Sequence, residues 1–302
     1  MQAPNGPFPR RIILSRKGFD QENGGCASPI CDATGAMCSL PIPDRKTNLR
    51  YRDINLGSPM AGLANLGRIV ESLPKSHVTG SSEVHLDPDL RAGLHPEHGD
   101  DWRGLFGQSS AALSHLKDQG VAQGDLFLYF GWFRRVRASG SSGIEYLRTA
   151  DDEHVIWGWL QVQSTISPSG TVPMWASHHP HVVVSHGELF VGSDRLSFAP
   201  SMEGAGTFDH YDPRLRLTCP GVRRNRTLWR IPWFFARENP RLTYHPKTVW
   251  QQDGDYAIGK SADKGQEFVL STEGIEEEVG RWLSQLFAIV HPVTERAKAA
   301  RS

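Results

Sequence analysis

The chain has 302 residues, with 33 Lys plus Arg against 33 Asp plus Glu, so its formal charge at pH 7 is zero. That balance excludes a protein that draws a polyanion by its overall field, and any nucleic-acid contact must rest on local patches. With 38% apolar residues, 9 Trp and 13 Phe, the composition is globular and long enough to bury a large core, as one domain or two intimately packed ones. No apolar run approaches the roughly 18 residues of a membrane span, and the N-terminus lacks the apolar core of a signal peptide. The expectation is a soluble, cytoplasmic protein without a membrane partner. Cys26, Cys31, Cys38 and Cys219 form no C-x-x-C pair and match neither a zinc pattern nor a disulfide framework. Reduced thiols fit that compartment, and the sequence assigns Cys26, Cys31 and Cys38 no role and the chain no oligomeric state.

In chain order, residues 1–10 are Pro-rich and read as a flexible N-terminus, residues 11–293 as a single domain, and residues 294–302 as a flexible polar tail. Residues 11–14 are a strand. Ser15–Asp44 follows as a long polar loop, and a loop of that length in a compact domain is usually functional or disordered. Leu63, Leu66, Val70 and Leu73 share a helical face over 61–73. Ser109 caps a helix that buries Ala112, Leu113 and Leu116 and stops at Gly120. Leu126–Phe133 is too continuously apolar for a half-exposed strand and reads as central. Arg134–Arg137 and the Ala-Ser-Gly-Ser-Ser-Gly after them read as an exposed loop, and His154–Val162 as a second buried strand. Short strands are expected at His181–Ser185 and Glu188–Val191. Ile275, Val279, Trp282, Leu283, Leu286, Phe287 and Val290 recur at helical spacing, with Thr272 and Glu273 at that helix's start. The fold class is α+β, with a mixed or barrel-like central sheet; two strands of the aromatic kind seen here resemble the hairpin of PUA and EVE-like barrels.

Four constellations carry candidate chemistry. In His85-Leu86-Asp87-Pro88-Asp89, the proline keeps Asp87 out of the α region, so His85, Asp87 and Asp89 alternate on one face of an extended segment. An imidazole with carboxylates holds a divalent cation, and an oxygen-rich set suits magnesium, manganese or iron(II). The same residues also make an Asp-Pro-Asp turn with a cap at Asp89. Asp20 and Asp44 are the natural further ligands. In the opening loop, Arg16 and Lys17 can neutralise phosphate, while Gly24, Gly25 and Ser28 offer N–H and hydroxyl donors or merely satisfy turn geometry. His178-His179-Pro180-His181, with His186 nearby, places His179 and His181 on one side of a strand. His154, at the mouth of a buried strand, is a candidate for acid–base work. From Arg223 to Arg241, basic and aromatic residues interleave as they do on a nucleic-acid surface, or as core aromatics edged by Arg stems. No P-loop, dinucleotide fingerprint, G-x-S-x-G or H-E-x-x-H is present.

A set of blocks in fixed order carries a family resemblance: Leu14-Ser-Arg-Lys-Gly-Phe-Asp20, Gly24-Gly25 with Ser28-Pro-Ile30, Leu40-Pro-Ile-Pro-Asp44, His85-Leu-Asp-Pro-Asp89, Phe106-Gly-Gln108, Gly124-Asp-Leu-Phe-Leu128 with Gly131-Trp-Phe133, His154-Val-Ile-Trp-Gly158, and Gly265-Gln-Glu-Phe-Val269. Over roughly residues 11–290 they resemble the nucleotide-modification-associated domain family, third type. The resemblance implies a part in nucleotide or base modification in bacteria or phages, with no assigned reaction. It points to the polar residues of the matching blocks: Arg16, Lys17, Asp20, Asp44, His85, Asp87, Asp89, Gln108, His154 and Glu267. The reading that follows is an enzyme acting on a nucleotide, a nucleic-acid base or a small metabolite. Asp20, His85 and Asp87 would hold the divalent metal, with Asp44 or Asp89 as further ligand or base. Arg16, Lys17, Gly24, Gly25, Ser28, Gln108 and Trp157 would meet substrate, with His154 and Glu267 as further acid–base groups. Iron(II) would imply oxygenase or oxidase chemistry, magnesium or manganese phosphoryl chemistry. The alternative is a non-catalytic reader of modified nucleic acid, with a PUA-like pocket of Trp132, Trp157 and Trp159.

Overall fold

The computed structural model describes residues 7–45, 47–140, 143–222, 225–237, 242–262 and 265–290. The expected tail, most of the N-terminal segment, part of the loop after Arg137, and Arg223, Arg224 and Arg241 of the basic stretch lie outside the described residues. In chain order the first strands are β1 (Arg11–Arg16), β2 (Ser28–Cys31), β3 (Asn55–Met60), β4 (Leu63–Asn65), β5 (Leu105–Gln108), β6 (Leu126–Ser139), β7 (Gly143–Tyr146) and β8 (Glu153–Ile166). They continue with β9 (Glu188–Gly192), β10 (Arg195–Leu196), β11 (Ala199–Glu203), β12 (Ala205–Thr207), β13 (Leu228–Pro232), β14 (Gln251–Asp253), β15 (Tyr256–Lys260) and β16 (Glu267–Ser271). The helices are α1 (Leu66–Ser72), α2 (Ser110–Asp118) and α3 (Glu276–Phe287).

One mixed sheet organises the chain in the order β16-β1-β6-β8-β9-β5, with β2 and β7 beside the far half of β6 and β12 beside β8. The central pair, β6 and β8, is apolar on both faces over Leu126–Phe130 and Val155–Leu160, as a strand covered on two sides must be. Side chains alternate across it. Phe127 and Tyr129 lie on one face with Phe106 of β5, at 5.0 and 5.3 Å between ring centroids. Phe130 lies on the other, 5.3 Å from Trp229 and 6.1 Å from Phe268. On that second face α3 buries Val279, Leu283, Leu286 and Phe287, with Trp159 edge-on to Phe287 at 5.1 Å. Glu276, Glu277 and Glu278 occupy the first turn of α3, where carboxylates meet the exposed N–H groups favourably.

The α+β class and the mixed sheet agree with the sequence, but the sheet does not close into a barrel. Instead, β8 pairs with β6 over Glu153–Gln161 and with β9 over Val162–Ile166, so the sheet turns a corner along one strand. That turn carries β9 and β5 back over the Tyr129 face. The end strands β5 and β16 are then linked by side chains, Gln108 Nε2–H donating to Glu267 Oε1 at 2.7 Å.

Several expected elements change. Arg134–Arg137 is not loop: β6 runs on to Ser139 because β2 pairs with it in parallel and β7 antiparallel. Val136 is buried there, and Arg137 points outward to Glu145 at 2.7 Å. The helix expected at 61–73 begins only at Leu66, since a hairpin turning through Ala61 and Gly62 at positive φ precedes it. Asn65 caps it by accepting the Arg68 N–H at 3.3 Å. His181–Ser185 is not a strand: Pro180 opens a 3-10 turn over Pro180–Val183, and the Nδ1 of His179 accepts the His181 N–H at its start. The aromatics of the Arg223–Arg241 stretch are core, with Trp229, Phe234 and Phe235 buried. Arg226 and Arg230 stack over Trp132 and Tyr256, 4.4 and 3.6 Å from the ring centroids. Among the described residues no helix is long and apolar enough to cross a membrane.

Phe130 is fully buried against the rings of His154, Trp229 and Phe268, so Phe130→Ala opens a cavity in the core. Truncations of this kind cost about 3–5 kcal/mol. Urea denaturation is the check, and a loss under about 1 kcal/mol would contradict the packing described.

Candidate metal centre

The His85–Asp89 segment is held extended from both sides. His85 N–H donates to Ile42 O at 2.9 Å and Asp44 N–H to Glu83 O at 3.0 Å, which brings the Asp44 carboxylate beside the His85 ring. Further on, Asp89 and Leu105 exchange backbone hydrogen bonds, both 2.8 Å, which lays the segment along the edge of β5. The next free N–H of that edge, Gly107, donates to Asp87 Oδ1 at 2.7 Å. Asp87 is fixed in this way to the strand that packs over Tyr129. The 3-10 turn at Pro180 supplies the opposite wall: His181 packs on Gly107 so closely that a Cβ there would sit 2.3 Å from the ring.

Ligand atoms gather within 4.8 Å of one another in three groups: His85, Asp87 and His181; Asp89, His98 and His178; and His95, Glu97 and His178. Ring protons separate them. A neutral imidazole has one lone pair, and the partner of one nitrogen assigns the proton to the other. His98 Nδ1 accepts the Gly93 N–H at 3.1 Å, so its proton is on Nε2, which donates to Asp89 Oδ2 at 2.7 Å. His95 Nδ1 likewise accepts the Glu97 N–H at 3.1 Å. Neither has a lone pair left at Nε2 for a cation.

The first group differs. Asp44 Oδ2 lies 2.7 Å from His85 Nδ1 and accepts its N–H, leaving the Nε2 lone pair of His85 directed at His181 Nε2, 3.2 Å away. His181 Nε2 stands 3.5 Å from Asp87 Oδ2. Donors bound at about 2.0–2.2 Å to one ion are separated by about 3–3.5 Å, which these contacts match. A carboxylate behind a ligating histidine is the usual second support of such a site. His179 is a positioning residue here. Its Nδ1 accepts the His181 N–H at 3.3 Å, and its Nε2 lies 3.3 Å from Asp87 Oδ1, off the line a good hydrogen bond needs. Burial pushes the Asp87 carboxyl up, but the imidazoles of His179 and His181 outweigh it and hold the group well below the usual carboxylate range. Asp87 is an anion in the fold.

The structure corrects several expectations from sequence. Asp20 does not join His85 and Asp87: it is exposed, and its Oδ1 accepts the N–H groups of Glu22 and Asn23 at 2.8 and 2.6 Å, closing its own turn. His181 stands in its place. Asp89 lies apart from His85 and Asp87, in a group with His98 and His178, and one of its oxygens takes His98, Trp102 and His178 at 2.7, 3.2 and 3.2 Å, clamping two loops together. Asp44 orients His85. Arg16 and Lys17 do not face one phosphate, because consecutive strand residues point to opposite faces. Arg16 lies over Phe130 and Phe268 and donates to Ala262 O at 3.1 Å, whereas Lys17 reaches Glu267 at 3.3 Å on the Tyr129 face. Gly24 and Gly25, both at positive φ, form a turn packed on Phe19 and His77, and Ser28 Oγ accepts the Leu40 N–H at 3.1 Å. Trp132 donates to Asp152, and Trp159 packs in the α3 core, while Trp157 borders a cavity that Asp87 also lines. Gln108 and Lys17 both reach Glu267 Oε1. Burial pushes the Cys26 thiol up to about 11, and among the described residues no cysteine joins a ligand group.

Fold and site together define a curled α+β sheet with imidazole–carboxylate groups gathered beside β5. The family model for nucleotide modification associated domain 3 matches residues 11–271, and the chain belongs to that family. The matched span runs from the start of β1 to the end of β16 and includes every residue of the centre. No curated protein and no solved structure matches the chain.

His154 is remote from this centre in character: it is buried, and its Nδ1 accepts the Trp229 indole N–H at 3.0 Å. Burial, with the nearby cations of Arg16 and Arg226, pushes its pKa well below the ordinary imidazole value. The unfolded chain therefore takes up this proton first as pH falls through about 6.5, and stability drops from there toward the lower folded value. His154→Gln keeps an acceptor for Trp229 and removes the titration. Between about pH 7.5 and about pH 5.5, urea melts of the native chain should lose about 1 kcal/mol more than those of the variant. Equal losses would show that the imidazole is not held neutral.

Proposed function

We propose that this chain is a metal-dependent enzyme of nucleotide or base modification, with His85, Asp87 and His181 as the ligands of one divalent transition-metal ion. The observation that carries this reading is the pair of Nε2 atoms 3.2 Å apart, one of them left its lone pair by Asp44, beside an anionic Asp87. Two imidazoles and one carboxylate favour a first-row transition metal over magnesium, which seeks oxygen donors. Among such metals the set fits iron(II) best, because this ligand triad with open positions is the pattern of non-haem iron oxygenases. That reading favours oxygenase or oxidase chemistry over phosphoryl chemistry.

The chain's own residues have separable tasks. Asp44 fixes the tautomer and direction of His85. The Gly107 N–H, with His179 behind it, fixes Asp87. The clamp on Asp89 keeps the segment that bears two ligands from shifting along β5. The substrate is a nucleotide or nucleic-acid base, a class that family membership supports, and it approaches from the cavity that Asp87 and Trp157 border.

Anaerobic purification followed by elemental analysis tests the reading. One equivalent of iron is expected, lost in His85→Ala and His181→Ala and retained in Asp20→Ala. Asp44→Asn should weaken metal affinity about 10–100-fold, the usual effect of removing a carboxylate behind a ligating histidine. A protein that binds no transition metal, or a correctly folded His181→Ala that keeps its full complement, would end this assignment.

A further inference from the structure

The cavity that Asp87 borders lies where two hydrophobic clusters meet without merging. Leu90, Trp157 and Phe208 reach it from the cluster around the main sheet, and Ile54, Met60 and Leu86 from the cluster around α1. A folded interior keeps few voids larger than a water, because atoms lining a void forgo contacts. This one measures about 90 Å³ and opens to solvent on one side.

Its chemistry is narrow. The charged residues among its described lining are Asp87, Arg91 and Asp209, one cation against two carboxylates, and Arg91 already donates to Asp209 Oδ1 at 3.2 Å. A phosphate brought into apolar walls of that charge would lose its hydration without gaining a counter-ion. One donor is unspent: Trp157 is buried, and its Nε1 has no hydrogen-bond partner among the described residues. Buried polar atoms are rarely left so. The pairing of β8 with β6 shifts here, with Tyr129 opposite Gly158 and Phe130 opposite Ile156, so Trp157 is the extra residue of a bulge. A bulge re-aims a side chain. The indole nitrogen lies beside Gly131, where an added Cβ would stand 3.5 Å from it and 2.6 Å from Lys17 O, and Gly18, next in the chain, lines the cavity.

An apolar cavity of about 150 Å³ admits a benzene ring. At about 90 Å³ with an open mouth, this one takes a single ring whose outer edge stands in the opening, and has no room for a second. We propose that it receives the one ring of a pyrimidine base, faces against the apolar walls, with Trp157 Nε1–H donating to a ring carbonyl oxygen. Sugar and phosphate stay outside the mouth, and a purine would leave its second ring there with them. The inference deepens the nucleotide-modification reading and rests on it. The cavity sets the ring, not the phosphate, on the side of Asp87.

Titration calorimetry of the full chain with thymidine, deoxycytidine, deoxyadenosine and deoxyguanosine tests it, with ribose 5-phosphate as the base-free control. A pyrimidine nucleoside should bind saturably, both purine nucleosides at least about tenfold more weakly, and ribose 5-phosphate not at all. Trp157→Phe keeps an aromatic wall and removes the donor, and it should weaken pyrimidine binding at least about fivefold. Leu94 lines the cavity at a half-buried position, so Leu94→Ala widens it at small risk to the fold. That variant should gain affinity for the purines relative to the pyrimidines, a gain that a merely structural role cannot produce. If Trp157→Phe fails to fold, Leu94→Ala decides. No pyrimidine binding, purines bound as tightly as pyrimidines, equal binding of ribose 5-phosphate, full affinity in a folded Trp157→Phe, or unchanged selectivity in Leu94→Ala would overturn the proposal. Metal content measured on the same samples separates the two readings. Pyrimidine binding by a metal-free chain would keep the cavity's assignment and remove the metal enzyme, whereas a metal-loaded chain blind to all four nucleosides would do the reverse.

Discussion

The change of partner along β8 is the constraint on which the rest depends. Its 14 residues serve β6 first and β9 afterwards. Without that corner, β5 would lie far from β6 and the Tyr129 face would be an ordinary outer surface. With it, β5 returns over that face, its Gly107 N–H holds Asp87, and its Gln108 reaches Glu267 on the opposite edge. The interior so formed is enclosed like that of a barrel, yet its seam is made of side chains. A seam of Gln108, Glu267 and Lys17 is polar, and it lends the interior a chemistry that a backbone seam would not.

Three carboxylates are buried around this interior, and their environments distinguish support from function. A buried charge is tolerated only when paired and hydrogen-bonded. Asp89 has three ring donors on one oxygen and is a staple between loops. Glu267 has Lys17 and Gln108 on one oxygen and nothing on the other, so it is neutralised but incomplete. Asp87 has a single well-formed backbone bond and faces imidazoles whose alignment is poor for hydrogen bonding. Asp89 and Glu267 each keep one buried oxygen without a partner among the described residues, so the three carboxylates differ in which groups hold the occupied oxygen.

Local pattern made much of the fold legible. The continuous apolar runs of β6 and β8, the period of α3 and the start of α2 after Ser109 were plain, because each rests on neighbours in sequence; Ser109 itself makes no side-chain capping bond. The far half of β6 was not, because Arg134 and Arg137 are strand residues only in the presence of β2 and β7. His85 and Asp87 were legible as candidate ligands, since Pro88 forces their segment to extend. The third member of the group was not, because His181 lies 96 residues beyond His85 and is delivered by the corner in β8. Adjacent histidines looked unsuited to one site on a regular element. The 3-10 turn resolves that objection by sending His178 to Asp89 and His179 with His181 to Asp87. Tyr129 gave no signal at all: a hydroxyl inside Leu-Phe-Leu-Tyr-Phe reads as packing, and only its lack of a partner marks it.

That lack bears on stability as well as on recognition. Ser15, Tyr129, Trp157 and Glu267 each hold a buried polar atom with no partner among the described residues. Buried polar atoms in excess of their partners weaken a fold, and a sequence optimised for stability alone would not place four of them in one row. The family match ends where β16 ends, so the row and the centre lie inside it while the covering helix α3 lies beyond. The family match thus takes in the sheet interior, with its unpartnered polar atoms and the His85–Asp87–His181 group, and stops short of the helix packed on the other face.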